Sequence, residues 1–284
     1  VTVRESIPAT IEHFDALDLA ADPLQAAARV VVPQGSSLKD LLSGTWLGHP
    51  LHPPLTDVVV GSWTSAFLLD LLGGDDAEEA ADLLLATGVL AALPTALSGL
   101  SDWSELGGGS RRLGVIHAVG NSSALLLQAL SLRARRRRER ARGVALSALA
   151  FGIASFSAWL GGHLSFSKGV GVNQTAFHAG PDDWTPVLDD AQLPEGTMVG
   201  AQVGQTPLLL LRRGDAVYAL DDRCAHRGCA LHEGRLDGET ITCPCHGSTF
   251  RLDGSLLKGP ATSPQPRFAA RVREGTVEVR AVDD

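Results

Sequence analysis

Four apolar stretches, at about 55–73, 80–101, 113–132 and 143–164, constrain this chain more than any other feature. Each is close to the roughly 20 residues that an α-helix needs to cross a hydrocarbon layer. No water is available there, so a lone spanning segment has to satisfy its own backbone, which a helix does. The stretches are rich in Ala, Leu, Val and Gly, and small residues at helical intervals let such helices approach closely. Charged or Gly-rich turns separate them. The expectation is an all-α four-helix transmembrane bundle over 49–165, with a soluble helical bundle as the alternative.

The net charge of −8 hides an uneven distribution. Acidic residues dominate the start and end of the chain, whereas arginines run from Arg133 to Arg142, between the third and fourth apolar stretches. Alone, such a run reads as a nucleic-acid patch; between two membrane spans it marks the cytoplasmic side. We therefore expect no nucleic-acid partner. The third and fourth helices then meet inside a bacterial cell membrane, and both ends of the chain lie outside. The acidic turn Gly73 to Glu79 counts little in this rule, but Arg111-Arg112 at the outer end of the third helix stands against it. Arginine pairs before the fourth helix could also form a twin-arginine export signal. No cleavable leader is expected in 1–20, which carries Glu5, Glu12, Asp15 and Asp18. Residues 1–48 read as an amphipathic extramembrane region.

This topology gathers polar residues at one rim of the bundle. His49 and His52 precede the first helix, His117 and Asn121 lie a turn apart in the third, and His163 closes the fourth. Asp57 and Asp102 fall at the same level. Ionisable groups at such depths are costly and point to function. The set suits haem b through a His pair or a quinone pocket; the plain alternative is polar residues that anchor helix ends. Asp70 and Asp82 read as helix-end caps.

All four cysteines lie in two boxes, Cys224-Ala-His226-Arg-Gly228-Cys229 and Cys243-Pro-Cys245-His246-Gly247-Ser248. Thiolate and imidazole ligands suit zinc or iron. A structural zinc site, a purely structural cluster, and a centre with two Cys on one iron and two His on the other all fit that inventory. The boxes resemble the Rieske [2Fe–2S] family, over about 183–284. The resemblance implies Cys224, His226, Cys243 and His246 as cluster ligands and leaves Cys229 and Cys245 for a disulfide. It places Gly228 and Gly247 where backbone approaches the cluster, and Pro260 of Gly259-Pro260-Ala261 on a third, rigid loop. Ser248 would donate to a bridging sulfide. Phe250 stands where high-potential members carry a tyrosine, so the expected potential is below that of quinol-oxidising members.

Short β-like runs at 197–203, 206–212, 216–220 and 276–282, with turns at Gly204 and Gly214-Asp215, fit a small all-β domain over 184–284. Residues 166–183, with Gly169, Gly171, Gly180 and Pro181, read as a linker. The helical part resembles a family of uncharacterised four-helix bacterial membrane domains. The residues that match are Leu47 to Pro53 with its Gly-His-Pro-Leu-His-Pro, Ser98 to Trp103, Arg112 to His117, and Gly161 to Val172. Together the resemblances imply a membrane-anchored electron carrier, or a subunit of an oxidoreductase, with quinol or a haem as partner at the outer face. A ferredoxin-like donor to a separate oxygenase or oxidase, and a redox or iron sensor without turnover, are the alternatives. An oligomer is compatible with either.

Overall fold

The computed structural model describes residues 3–282. Its contacts group into two units, Val1–Val32 with Leu51–Val170, and Pro33–Pro50 with Gly171–Asp284.

The first unit is helical. Short α1 (Val3–Glu12) and α2 (Asp18–Val31) precede four long helices, α4 (His52–Leu72), α5 (Glu78–Trp103), α6 (Gly108–Arg136) and α7 (Arg140–Gly162). All four are long and apolar enough to cross a membrane. They extend past the expected bounds because their polar ends stay helical: His52-Pro53-Pro54 forms the first turn of α4, where prolines forfeit no intrahelical bond, and the α6–α7 turn is only three residues. Adjacent helices pair as hairpins. Trp63 lies over Gly88, where a Cβ would come within 2.3 Å of the indole, and Phe67 stacks on Phe151 with centroids 4.6 Å apart.

Two ionic clusters fix the ends of this unit. Asp18 of α2 takes both Arg111 and Arg112 at 2.6 Å, Asp22 takes Arg111 at 2.6 Å, and Asp15 takes Arg112. Arg112 and Arg111 hold the Asp18 carboxyl down at about 2. Gln25 of α2 donates to the carbonyls of Trp103 and Leu106, so α2 satisfies the open end of α5. At the other end, Asp70 and Asp82 are not helix caps. Buried Arg135 bonds both of them, and Arg140 reaches Asp82 at 2.6 Å and Asp70 at 2.7 Å. A carboxylate as buried as Asp70 needs such a partner.

The second unit is an antiparallel β fold. A six-stranded sheet runs in the order β1 (Thr185–Asp189), β10 (Thr276–Ala281), β9 (Arg267–Arg273), β4 (Ala216–Asp221), β3 (Thr206–Arg213), β2 (Met198–Val203), and a four-stranded sheet in the order β5 (Arg235–Asp237), β6 (Thr240–Thr242), β7 (Thr249–Arg251), β8 (Leu256–Lys258). Strand β3 (Thr206–Arg213) lies between β2 and β4, and its four leucines are fully buried. Their alternation splits the core in two: Leu209 and Leu211 pack with Cys224, Cys243, Ile241 and Phe250, while Leu208 and Leu210 pack with Phe268, Val277 and Val279.

Parts of the two segments expected from sequence to be an N-terminal region (1–48) and a linker (166–183) group with this unit: residues from 33 in the first and from 171 in the second. Helix α3 (Ser37–Ser43) and Thr45 bond to the loop after β8 (Leu256–Lys258). In the expected linker, Gln174 donates its N–H to Ala225, Ala179 accepts from the Thr206 hydroxyl and Pro181 accepts from Ala281, so much of it is hydrogen-bonded into the domain.

Candidate metal centre

The two cysteine boxes fold into loops of one design. One follows β4 (Ala216–Asp221); the other joins β6 (Thr240–Thr242) to β7 (Thr249–Arg251). In the first, Gly228 donates to the Cys224 carbonyl at 2.8 Å and Cys224 donates to Cys229 at 2.9 Å. In the second, Gly247 donates to Cys243 at 3.2 Å and Cys243 donates to Ser248 at 2.8 Å. Both glycines are left-handed, with φ of 76° and 80°, which lets the chain turn back on its own cysteine. Cys229 and Cys245 join the loops through a disulfide. Cys224 and Cys243 stay outside any disulfide and are buried. The His226 and His246 rings lie edge to face, 5.0 Å between centroids, and are half-buried.

Buried polar residues brace these loops. Gln265 accepts from Ala225 N–H and donates to the carbonyls of Asp221 and Arg223. Asp221 accepts from Arg223 N–H and the His178 ring, and Asp222 accepts from the His232 backbone and ring. Burial raises the Asp221 carboxyl above its ordinary range against the pull of His178. Gly259-Pro260-Ala261 forms the third side: it is buried, its Gly–Pro bond is cis, and Ala261 donates to the buried Ser248 hydroxyl oxygen at 2.9 Å. The N-terminal segment clasps this loop. Asp40 accepts from Gly259 N–H at 3.0 Å, and the Thr45 hydroxyl donates to the Ala261 carbonyl at 3.1 Å. None of Asp40, Thr45, Gln265 or His178 stood out in the sequence. The Asp221-Asp222 doublet just before the first box was the one visible signal.

The membrane residues are less convergent. His49 is exposed, bonds its own neighbour Pro50, and belongs to the β unit; Asp57 is exposed. His163 lies 3.5 Å from Glu12 of α1, and Asp102 is half-buried. His52 and His117 share one arrangement. The His52 Nδ1 donates to the Thr95 carbonyl at 3.0 Å with its ring against Gly99; the His117 Nδ1 donates to the Ser157 carbonyl at 2.8 Å with its ring against Gly161. Asn121 donates to the His117 Nε2 at 3.1 Å, so both ring nitrogens of His117 are engaged. That leaves no lone pair for an axial bond to haem, and the haem expectation gains no support.

Residues 183–270 match the Rieske [2Fe-2S] domain, and residues 48–174 match a predicted membrane protein family, DUF2231. The ferredoxin CarAc of Metapseudomonas resinovorans is 39% identical over 98 residues, 34% of this chain and 92% of that protein. The chain belongs to the Rieske family. An iron-sulfur subunit of the cytochrome b6-f complex of Chlorobaculum tepidum is 27% identical over 89 residues, and the chain spans 49% of its length. The ferredoxin in a carbazole 1,9a-dioxygenase oxygenase–ferredoxin complex is 37% identical, with 36% of this chain and 95% of that chain covered and a TM-score of 0.33. The protein thus joins a Rieske electron-transfer domain to a multi-pass membrane domain.

A Rieske domain implies a [2Fe–2S] cluster, and the donors present fit one. They stand as a buried thiol pair and an imidazole pair. Among the described residues no three Cys, His, Asp or Glu side chains converge as one metal ion would need. The hydrogen-bonded Cys243 beside it, and burial, push the Cys224 thiol well above its ordinary range. Iron binding would displace protons from these thiols.

Proposed function

We propose that the protein is a membrane-anchored electron carrier whose Rieske domain faces the outside of a bacterial cell and takes electrons from a membrane quinol. Cys224 and Cys243 would hold one iron, and His226 and His246 the other. When bound, the cluster takes up and returns one electron at a time. The half-buried imidazoles would hold or release a proton at the ring nitrogen not given to iron. A quinol yields two electrons and two protons, so it would be consumed in two successive turnovers.

One observation carries the quinol reading: His52, in a membrane-spanning helix, has its Nδ1 fixed as a donor to Thr95, and its Nε2 has no partner among the described residues. That nitrogen can accept a quinol hydroxyl proton. The outward orientation rests on unneutralised charge. Arg133, Arg136 and Arg137 have no carboxylate partner among the described residues, whereas Arg111 and Arg112 at the opposite end of α6 are neutralised by Asp15, Asp18 and Asp22. The excess of free arginine marks the inner side. The disulfide suits an oxidising exterior.

The test is reduction of the purified, cluster-loaded protein by a short-chain quinol, followed by EPR and visible absorption. Reduction slowed by His52→Ala, with the cluster spectrum intact, is the expected result. No reduction by quinol, or a rate indifferent to His52, defeats the proposal. The second reading, electron donation to a separate oxygenase, draws on the likeness to a ferredoxin along nearly its whole length. Its mark is rapid exchange with a soluble reductase and no response to quinol.

A further inference from the structure

Six of the seven arginines in the run form two sets; Arg138 has no carboxylate partner among the described residues and does not line the groove between α5 and α6. Arg135 and Arg140 turn inward to Asp70 and Asp82, and Arg142 pairs with Glu139 at 2.9 Å. Arg133, Arg136 and Arg137 lie at one end of an open groove of about 590 Å³ between α5 and α6. Its remaining lining is apolar, with Ala86, Val89 and Leu90 on α5 and Ala129 and Leu132 on α6. On α6 the lining residues 129, 132, 133 and 136 follow the spacing of a single helical face.

We propose that this groove binds an anionic phospholipid, with a phosphate on Arg133, Arg136 and Arg137 and an acyl chain along the α5–α6 wall. Three features converge on that ligand. The cations have no counter-ion among the described residues, unlike Arg135, Arg140 and Arg142 in the same run. A guanidinium matches phosphate oxygens in paired hydrogen bonds. The cations stand at the end of an apolar channel on membrane-spanning helices, the arrangement in which basic pockets between such helices take lipid head groups. A free phosphate would use the arginines and leave the channel empty. A zwitterionic lipid would fill the channel and leave the positive charge uncompensated. The inference is independent of the quinol reading and of which side of the membrane the groove faces.

The test is native mass spectrometry of the full-length, cluster-loaded protein, titrated with phosphatidylglycerol, cardiolipin or phosphatidylcholine. Retention of the anionic lipids at least about tenfold tighter than phosphatidylcholine is expected, the scale of one charge-assisted contact. The preference should vanish in R133Q/R136Q/R137Q. Ala129→Leu, which fills the channel and leaves charge alone, should weaken anionic-lipid binding, and Arg138→Gln should leave it unchanged. Inorganic phosphate should not compete. Equal retention of all lipids, meaning annular lipid only, overturns the proposal. So does a preference that survives the triple variant, anionic-lipid binding undiminished in Ala129→Leu, or full competition by inorganic phosphate. Unchanged helical circular dichroism and cluster absorption show that the variants fold.

Discussion

If residues 33–50 are a working part of the Rieske domain, cutting their two bonds to the third loop should loosen that loop and nothing more distant. Thr45→Val keeps the side-chain shape and removes the hydroxyl that donates to Ala261, a residue only 1% exposed. A buried acceptor left without its donor costs about 1–3 kcal/mol. At about 1.4 kcal/mol per tenfold, the loop should open roughly 5 to 150 times more often. Asp40→Ala removes the carboxylate that accepts from Gly259 N–H and should act similarly, at about 1.5–3 kcal/mol for a bond to a charged group. Asp40→Asn keeps an oxygen acceptor and should recover most of the loss. Hydrogen exchange of the loaded, full-length protein reads this directly, because it reports local opening free energies. Faster exchange is expected in peptides over 256–262, with Gln34→Ala, a change at an exposed side chain of the same segment, as the silent control. Ala261 also donates to Ser248, so the same variants should shift the EPR g-values of the cluster. Unchanged exchange and spectra in both Thr45→Val and Asp40→Ala would refute the reasoning and reduce α3 to a surface ornament.

Other outcomes follow from the same geometry. Ser248→Ala removes a hydroxyl whose oxygen is fixed by Ala261 N–H; losing a donor worth about 0.5–1.5 kcal/mol to the more negative reduced centre lowers its potential by about 20–65 mV, at about 59 mV per tenfold for one electron, as redox titration would show. Phe250→Tyr returns a donor to the core that holds Cys224 and Cys243 and should raise the potential comparably. The Asp18 carboxyl is depressed to about 2 by Arg112 and Arg111, so its contribution is complete above about pH 4 and is lost as pH falls towards about 2; hydrogen exchange in α2 should quicken over that window, and Asp18→Asn should remove the dependence. Arg135→Ala leaves the buried Asp70 with only Arg140 and should destabilise the helical unit by about 3–5 kcal/mol, measured by the denaturant midpoint of its helical signal, whereas Arg135→Met with Asp70→Asn should lose much less.

What the sequence disclosed was whatever repeats at short range. Helical spans announce themselves by length and apolarity, and the Cys and His boxes by spacing, so the helical and β halves and the family were legible before any coordinates. Contacts between remote residues were not. Thr45 and Ala261 are 216 residues apart and Asp40 and Gly259 are 219 apart, with the whole helical unit between them, and nothing local distinguishes these side chains from ordinary surface polar groups. Asp70 and Asp82 misled for the same reason: near a helix end a carboxylate looks like a cap, and its arginines lie 53 to 70 residues further on. The carboxylates on Arg111 and Arg112, those of Asp15, Asp18 and Asp22, are likewise remote in sequence, so their neutralisation of this pair was not legible there.

The two membrane histidines show how one local design serves two ends. Each ring leans on a glycine in a Thr/Ser-Ala-x-x-Gly stretch, Thr95 to Gly99 and Ser157 to Gly161. The carbonyl each ring meets is the one that, in a helix, accepts from the N–H of that same glycine. A carbonyl has two lone pairs, so the histidine takes the second, and its ring must lie where the glycine's Cβ would be: a Cβ would come within 2.7 Å of His52 and 2.9 Å of His117. A turn further along, the designs diverge. Asn121, four residues after His117, closes off Nε2, while Thr56, four residues after His52, turns its hydroxyl to the His52 carbonyl and leaves that ring nitrogen alone. On the quinol reading proposed above, His117 would be a fastener between helices and His52 the proton acceptor. Thr56→Asn should give His52 an amide clamp and slow reduction by quinol; Asn121→Thr should leave that rate near wild type. If the two substitutions have the opposite effects, the roles of the histidines are reversed, and proton acceptance has been assigned to the wrong ring.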